Sequence, residues 1–142
     1  MLVDPRGPRT AAALTSVVLA AALVTGSPWL LALQGAVFAV GAVRGIQATP
    51  YGALFRRFVR PRLAPPADLE DARPPRFAQA MGLGFAVVGL LGAATGATAV
   101  FLAATGLALA AAFLNAAFGL CLGCEVYLLV RRVVPTREEI PA

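Results

Sequence analysis

Four apolar runs dominate the chain, at 10–25, 29–43, 77–94 and 98–130, and the connections between them alternate in character. A helix that crosses a bilayer needs about 20 apolar residues, with about 17 as the lower limit. The first two runs reach that length when Pro8 and Arg9, or Arg44 and Gly45, extend them and the arginines reach out to the headgroups. The fourth holds about 33 residues. As one helix it would measure roughly 50 Å, against a hydrocarbon core of about 30 Å. It must tilt, project or break, and Gly119 and Gly123 are the natural break points. The pattern predicts spans at about 9–26, 29–45, 77–94 and 98–120, the last continuing to 131 if it does not break, with a polar loop at 46–76.

The connections fix an orientation. Residues 26–28 and 94–97 are short and uncharged, and read as tight turns. The stretch 44–76 holds seven arginines; Arg6 and Arg9 lie near the N-terminus, and Arg131, Arg132 and Arg137 near the C-terminus. With four spans every basic residue falls on one side, which the positive-inside rule assigns to the cytoplasm. The expectation is a bacterial inner-membrane protein with both termini cytoplasmic. A cleaved signal peptide would also begin with a basic residue and an apolar core, but Asp4, Pro5 and Pro8 crowd this start and no small-x-small site follows Leu23. The first helix is expected to be retained.

The polar loop has order of its own. Thr49 and Pro50 form a helix start, a capping residue followed by proline. Tyr51, Leu54, Phe55 and Phe58 then recur on one face, with Arg56, Arg57 and Arg60 on the other, and Pro61 ends the run. This predicts an amphipathic helix lying on the cytoplasmic headgroups between spans 2 and 3. Prolines at 65–66 and 74–75 bracket Asp68, Glu70 and Asp71 in a stiff exposed segment. The fold class is therefore all-α: an integral membrane four-helix domain whose first partner is the lipid bilayer.

Composition agrees. Of 142 residues, 59% are hydrophobic and 13% charged, about half the charged share of a soluble domain. The net charge of +5 comes from arginines flanking apolar runs, and no soluble basic domain is left to bind nucleic acid. No histidine is present, so the commonest acid–base side chain is missing.

The chemistry gathers in FGLCLGCE, 118–125, which carries both cysteines, three apart and followed by Glu125. On a continuous helix Cys121, Cys124 and Glu125 share a face, which Leu114, Ala117 and Phe118 continue one turn earlier. Counting from either end of the run places the pair in the cytoplasmic leaflet or at its surface. Thiols at this spacing are able to bridge, as a thiol–disulfide switch requires. An acid in lipid is costly and marks a functional candidate; Glu125 would accept a thiol proton or pair with Arg44 or Arg131. Inert packing is the plain alternative, since free cysteine is common in apolar interiors. Cys121 and Cys124 would be the ligands of any metal site, but a tetrahedral zinc needs two more, and a second copy of the chain would have to provide what Glu125 cannot. No cofactor is expected. Gln34, Gln79 and Asn115 are the other polar groups inside the runs, suited to hydrogen bonds between helices. Gly41 with Gly45, Gly92 with Gly96 and Gly119 with Gly123 are small residues four apart, a spacing that permits close helix contact.

VDPRGPR at 3–9, TPYGALFRRFVRPRL in the loop, PPRFAQA at the start of the third span and the ending FGLCLGCE resemble a family of small bacterial four-helix membrane proteins of unknown function. The GxCxGC ending, here Gly119, Cys121, Gly123 and Cys124, is its most specific part. The resemblance implies an association with thioredoxin-like and rhodanese-type sulfurtransferase proteins, and so thiol or sulfane-sulfur chemistry near the membrane.

The leading expectation is a membrane thiol redox or persulfide relay, in which Cys121 and Cys124, assisted by Glu125, exchange electrons or sulfur with a cytoplasmic thioredoxin-like or sulfurtransferase partner. A small transporter for a sulfur species or soft metal ion, completed by a homodimer, is the alternative. A membrane scaffold with inert cysteines is the third.

Overall fold

The computed structural model describes residues 2–134; Arg137, counted above among the basic residues of the C-terminus, lies outside them. Apart from one two-residue strand pair the described residues form helices and turns. Three helices are long and apolar enough to cross a membrane: α1 (Arg6–Thr25), α4 (Arg73–Ala94) and α5 (Thr98–Phe118). α2 (Pro28–Arg44) is apolar too, but has 17 residues. A short 3₁₀ turn (Ile46–Ala48) and α3 (Pro50–Leu54) follow it, and α6 (Leu122–Val133) follows α5.

Caps punctuate these helices where the sequence places them. α1 ends on Gly26 in the left-handed region, and Ser27, the next cap, accepts the Leu30 N–H ahead of Pro28 at the first helical position. The long fourth run breaks at Gly119, φ +70°, where the Gly119 N–H bonds the Asn115 carbonyl and the Leu120 N–H the Leu114 carbonyl, closing α5 on a left-handed glycine. Gly123, the other expected break, lies inside α6 and serves packing instead.

α1, α2, α4 and α5 form a closed ring, each packing on the next and α5 returning to α1. Leu19, Leu31, Phe38, Ala86, Phe101 and Ala108 fill its centre. In lipid, apolar burial between helices gains little, so close approach of small residues must hold them together. Gly89 and Gly92 of α4 do this: a Cβ on Gly89 would stand 2.8 Å from Leu31, and one on Gly92 2.9 Å from the backbone nitrogen of Phe101. The three glycine pairs of the sequence each divide between two tasks. Gly41, Gly92 and Gly123 pack against a neighbouring element, while Gly45, Gly96 and Gly119 take positive φ at helix ends. The four-residue spacing is thus packing plus punctuation, not a double contact along one helix.

Gln34 is fully buried in the ring. Its Nε2 donates to Thr15 Oγ1 at 3.3 Å, and its Oε1 accepts the Tyr51 hydroxyl at 2.6 Å. This network ties α1, α2 and α3, the interhelical role expected of Gln34. Replacing Gln34 by Leu keeps the volume but strands two hydroxyls. We expect a loss of about 1–3 kcal/mol, read as an earlier unfolding midpoint in detergent; an unchanged midpoint would show that the network contributes nothing.

Thr49 caps α3 as expected, accepting the Gly52 N–H at 3.1 Å. Beyond Leu54 the helix widens into a π turn (Phe55–Val59), in which Arg60 N–H bonds Phe55 O, and then tightens into a 3₁₀ turn (Arg60–Arg62) around Pro61. Pro61 has no N–H to continue an α ladder. The single apolar face of the sequence is divided in the structure. Phe55 is buried and Tyr51 half-buried against the ring, whereas Leu54 and Phe58 are exposed.

All the polar connections gather at one end of the ring. Arg9 at the start of α1 donates to the Ala116 carbonyl near the end of α5. Arg76 at the start of α4 donates to the Ala42 and Val43 carbonyls at the end of α2. Each guanidinium thus satisfies helix-terminal carbonyls at the negative end of a helix dipole. The turns after α1 and α4 lie at the opposite end. At the arginine end, β1 (Leu2–Val3) pairs antiparallel with β2 (Glu70–Asp71), joining the N-terminus to the loop before α4. Asp4 follows β1 and Asp71 ends β2, and hydrogen bonds from Arg6 and Arg73 hold their carboxyls below the usual range.

Candidate functional site

The break at Gly119 decides where the sulfurs go. α5 stops at Phe118, residues 119–121 turn, and Cys121 becomes the N-cap of α6. Its Sγ accepts the Cys124 N–H at 3.3 Å, the bond an N-cap oxygen usually makes. Cys121 and Cys124 are joined in a disulfide, with Cα atoms 5.2 Å apart. Both are half-buried. The shared helix face expected for Leu114, Ala117, Phe118 and the cysteines does not exist, because the turn separates them. Cys121 itself precedes the helix, and Cys124 and Glu125 occupy its first turn.

α6 does not extend α5; it lies chiefly against the start of α4. Gly123 permits this. A Cβ there would stand 2.6 Å from Ala78 Cα, so only a glycine fits. Phe77 and Tyr127 rings pack with centroids 5.6 Å apart, and the Arg131 guanidinium sits 5.6 Å from the Tyr127 centroid. Gly123, Tyr127 and Arg131 therefore mark the face turned to the protein. Leu122, Val126, Leu129, Val130 and Val133 form an exposed apolar stripe on another.

Glu125 is exposed in the first turn of α6, where the helix dipole favours a negative charge. Behind it is a cavity of 420 Å³ at the arginine end of the ring. Ala12, Phe38, Met81, Phe85, Leu107 and Ala111 are among the residues of its apolar wall. Cys121, Glu125, Gln79 and Asn115 converge on it from α4, α5 and α6. The sequence marked all four residues; the turn at Gly119 brings Asn115 and Cys121 to the same cavity. The cavity's closure by α6 was not legible, since nothing in the pattern says that the end of the fourth run folds onto α4. No cluster of three or more His, Cys, Asp or Glu side chains suited to a metal occurs among the described residues.

A disulfide within one helical turn, at an N-terminus and beside an acid, is chemically equipped for thiol–disulfide exchange. The unpaired backbone N–H groups of the first turn stabilise a thiolate formed there, and a thiolate is the attacking species. Residues 3–132 match the family described as a domain of unknown function, DUF4395. The chain belongs to that family. No curated protein and no solved structure matches it.

Proposed function

We propose that this chain is a thiol–disulfide relay of a bacterial inner membrane, exchanging electrons with a cytoplasmic thioredoxin-like protein. The observation that carries the reading is the position of the Cys121–Cys124 disulfide: at the N-terminus of α6, half-buried, at the end of the ring where the arginines gather. In the exchange a partner thiolate attacks one sulfur of the disulfide and releases the other as a thiolate. The partner's second thiol then attacks the mixed disulfide. Two electrons and two protons pass to Cys121 and Cys124, and the partner leaves oxidised. A sulfurtransferase partner would deliver sulfane sulfur to the reduced pair when a Cys121 or Cys124 thiolate attacks the outer sulfur of the partner's persulfide, breaking its S–S bond and releasing the partner's thiolate.

Four spans accommodate this reading. α2 is at the lower length limit and gains reach from Arg44. α3 with its following turns, and α6, lie on the headgroups, presenting Leu54 and Phe58, and the Leu122–Val133 stripe, to the lipid. With the arginine end inward, both termini are cytoplasmic. After reduction, a membrane-impermeant maleimide should label Cys121 and Cys124 in inverted vesicles and leave them unlabelled in right-side-out cells. Labelling from the outer face alone would refute the orientation and remove the cytoplasmic partner with it.

The cavity also favours a second reading, transport of a small sulfur species with the thiols as a transient site. Vesicle uptake that persists undiminished in the Cys121→Ser, Cys124→Ser double variant would eliminate it.

A further inference from the structure

A relay that accepts electrons must hand them on, and the cavity behind Cys121 indicates to what. Resting on the relay reading, we propose that the 420 Å³ cavity is a binding site for a lipid-soluble quinone, the oxidant that restores the Cys121–Cys124 disulfide. The volume falls within the range of small-molecule sites. The wall is apolar for most of its extent and includes Leu107 and Leu122, both exposed at the molecular surface, so a hydrophobic tail has a way out toward lipid. Two carboxamides, Gln79 and Asn115, line the cavity. A quinone offers two carbonyl acceptors on one flat ring, matching two amide donors. A lipid acyl chain, the other apolar occupant, would leave both amides desolvated without partners, at a cost that hydrogen bonds to a quinone avoid.

The reaction balances. The reduced pair loses two S–H bonds and forms one S–S bond; the quinone gains two electrons and two protons, forming two O–H bonds. The dithiol is oxidised to the disulfide and the quinone reduced to the quinol. Glu125, on the cavity wall and exposed to solvent, is placed to carry protons between sulfur and oxygen.

The test uses the full chain in quinone-free phospholipid nanodiscs, reduced, freed of reductant and kept anaerobic. A benzoquinone with a fully substituted ring is added, because substitution blocks direct addition of thiols to the ring. Quinol formation is followed by absorbance, and thiols are counted by alkylation. The expected result is one quinol formed for each pair of thiols lost. Asn115→Leu should raise the KM for quinone about tenfold, the equivalent of one lost hydrogen bond. Ala111→Phe, which fills the cavity, should slow reoxidation by at least as much. Wild-type exchange with a soluble dithiol protein is measured on the same preparation. If exchange proceeds but no quinol forms, the quinone site is wrong and the relay stands; if exchange also fails, the relay falls first. Equal quinone kinetics in wild type, Asn115→Leu and Ala111→Phe would place the reaction outside the cavity and overturn the proposal. Tightly retained phospholipid combined with no response to quinone would assign the cavity to an acyl chain and overturn it equally.

Discussion

A Cys124→Ser chain is expected to accumulate a mixed disulfide with a soluble dithiol protein, whereas a Cys121→Ser chain forms little and the double Ser variant none. The asymmetry follows from the cap. Cys121 precedes α6 and its sulfur already accepts a backbone N–H from the first turn. As a thiolate it keeps that bond and faces the positive end of the helix dipole. Cys124 lies within the turn and is the one to resolve the intermediate. Removing the resolving thiol traps the covalent complex, while removing the attacking thiol prevents it from forming. Non-reducing electrophoresis after acid quenching reads the outcome. The full effect is the difference between a stoichiometric adduct and no adduct. Trapping through Cys124 alone would reverse the assignment, and no adduct from either single variant would end the relay reading.

The second large effect concerns the seat of α6. Gly123→Val should detach the helix from α4, because the first added carbon already meets Ala78 Cα at 2.6 Å and the branch has nowhere to go. Overpacking of this kind costs about 1–3 kcal/mol, and here the weaker element yields. α6 moves and the ring stays. The expected signature is a large rise in the rate at which reduced Cys121 and Cys124 react with a bulky maleimide, with the unfolding midpoint of the ring changed little. Gly123→Ser should lie between the two. A Gly123→Val chain whose thiols react at the wild-type rate would show that the contact with Ala78 does not hold α6 in place.

Much of the architecture was legible because the determinants are local. The apolar runs announced α1 and α2, and Thr49 before Pro50 announced α3 with its cap. The excess length of the fourth run forced a break, and Gly119 supplied it. What escaped depended on contacts between distant residues. Gln34 was marked as an interhelical bonder, but Tyr51 and Thr15 as its partners are set by the way α3 folds back over the ring. The β1–β2 pair joins two short stretches separated by α1, α2 and most of the loop, with no alternation to betray them. The split of the α3 face comes from the seating of Phe55 beside Gly7 and of Tyr51 on Gln34, tertiary contacts that the pattern does not encode. In the site itself, residue types were legible and relative placement was not. Cys121, Cys124, Glu125, Gln79 and Asn115 were all named, but a single left-handed residue at 119 changed which of them meet.

The same turn leaves the sulfur pair on a short lever outside the closed ring. The bundle packs helix on helix without help from α6, so in the relay proposed above a docking protein would strain that lever without prising the scaffold apart. On that reading, exchange and structural integrity would fall to different parts of one small chain.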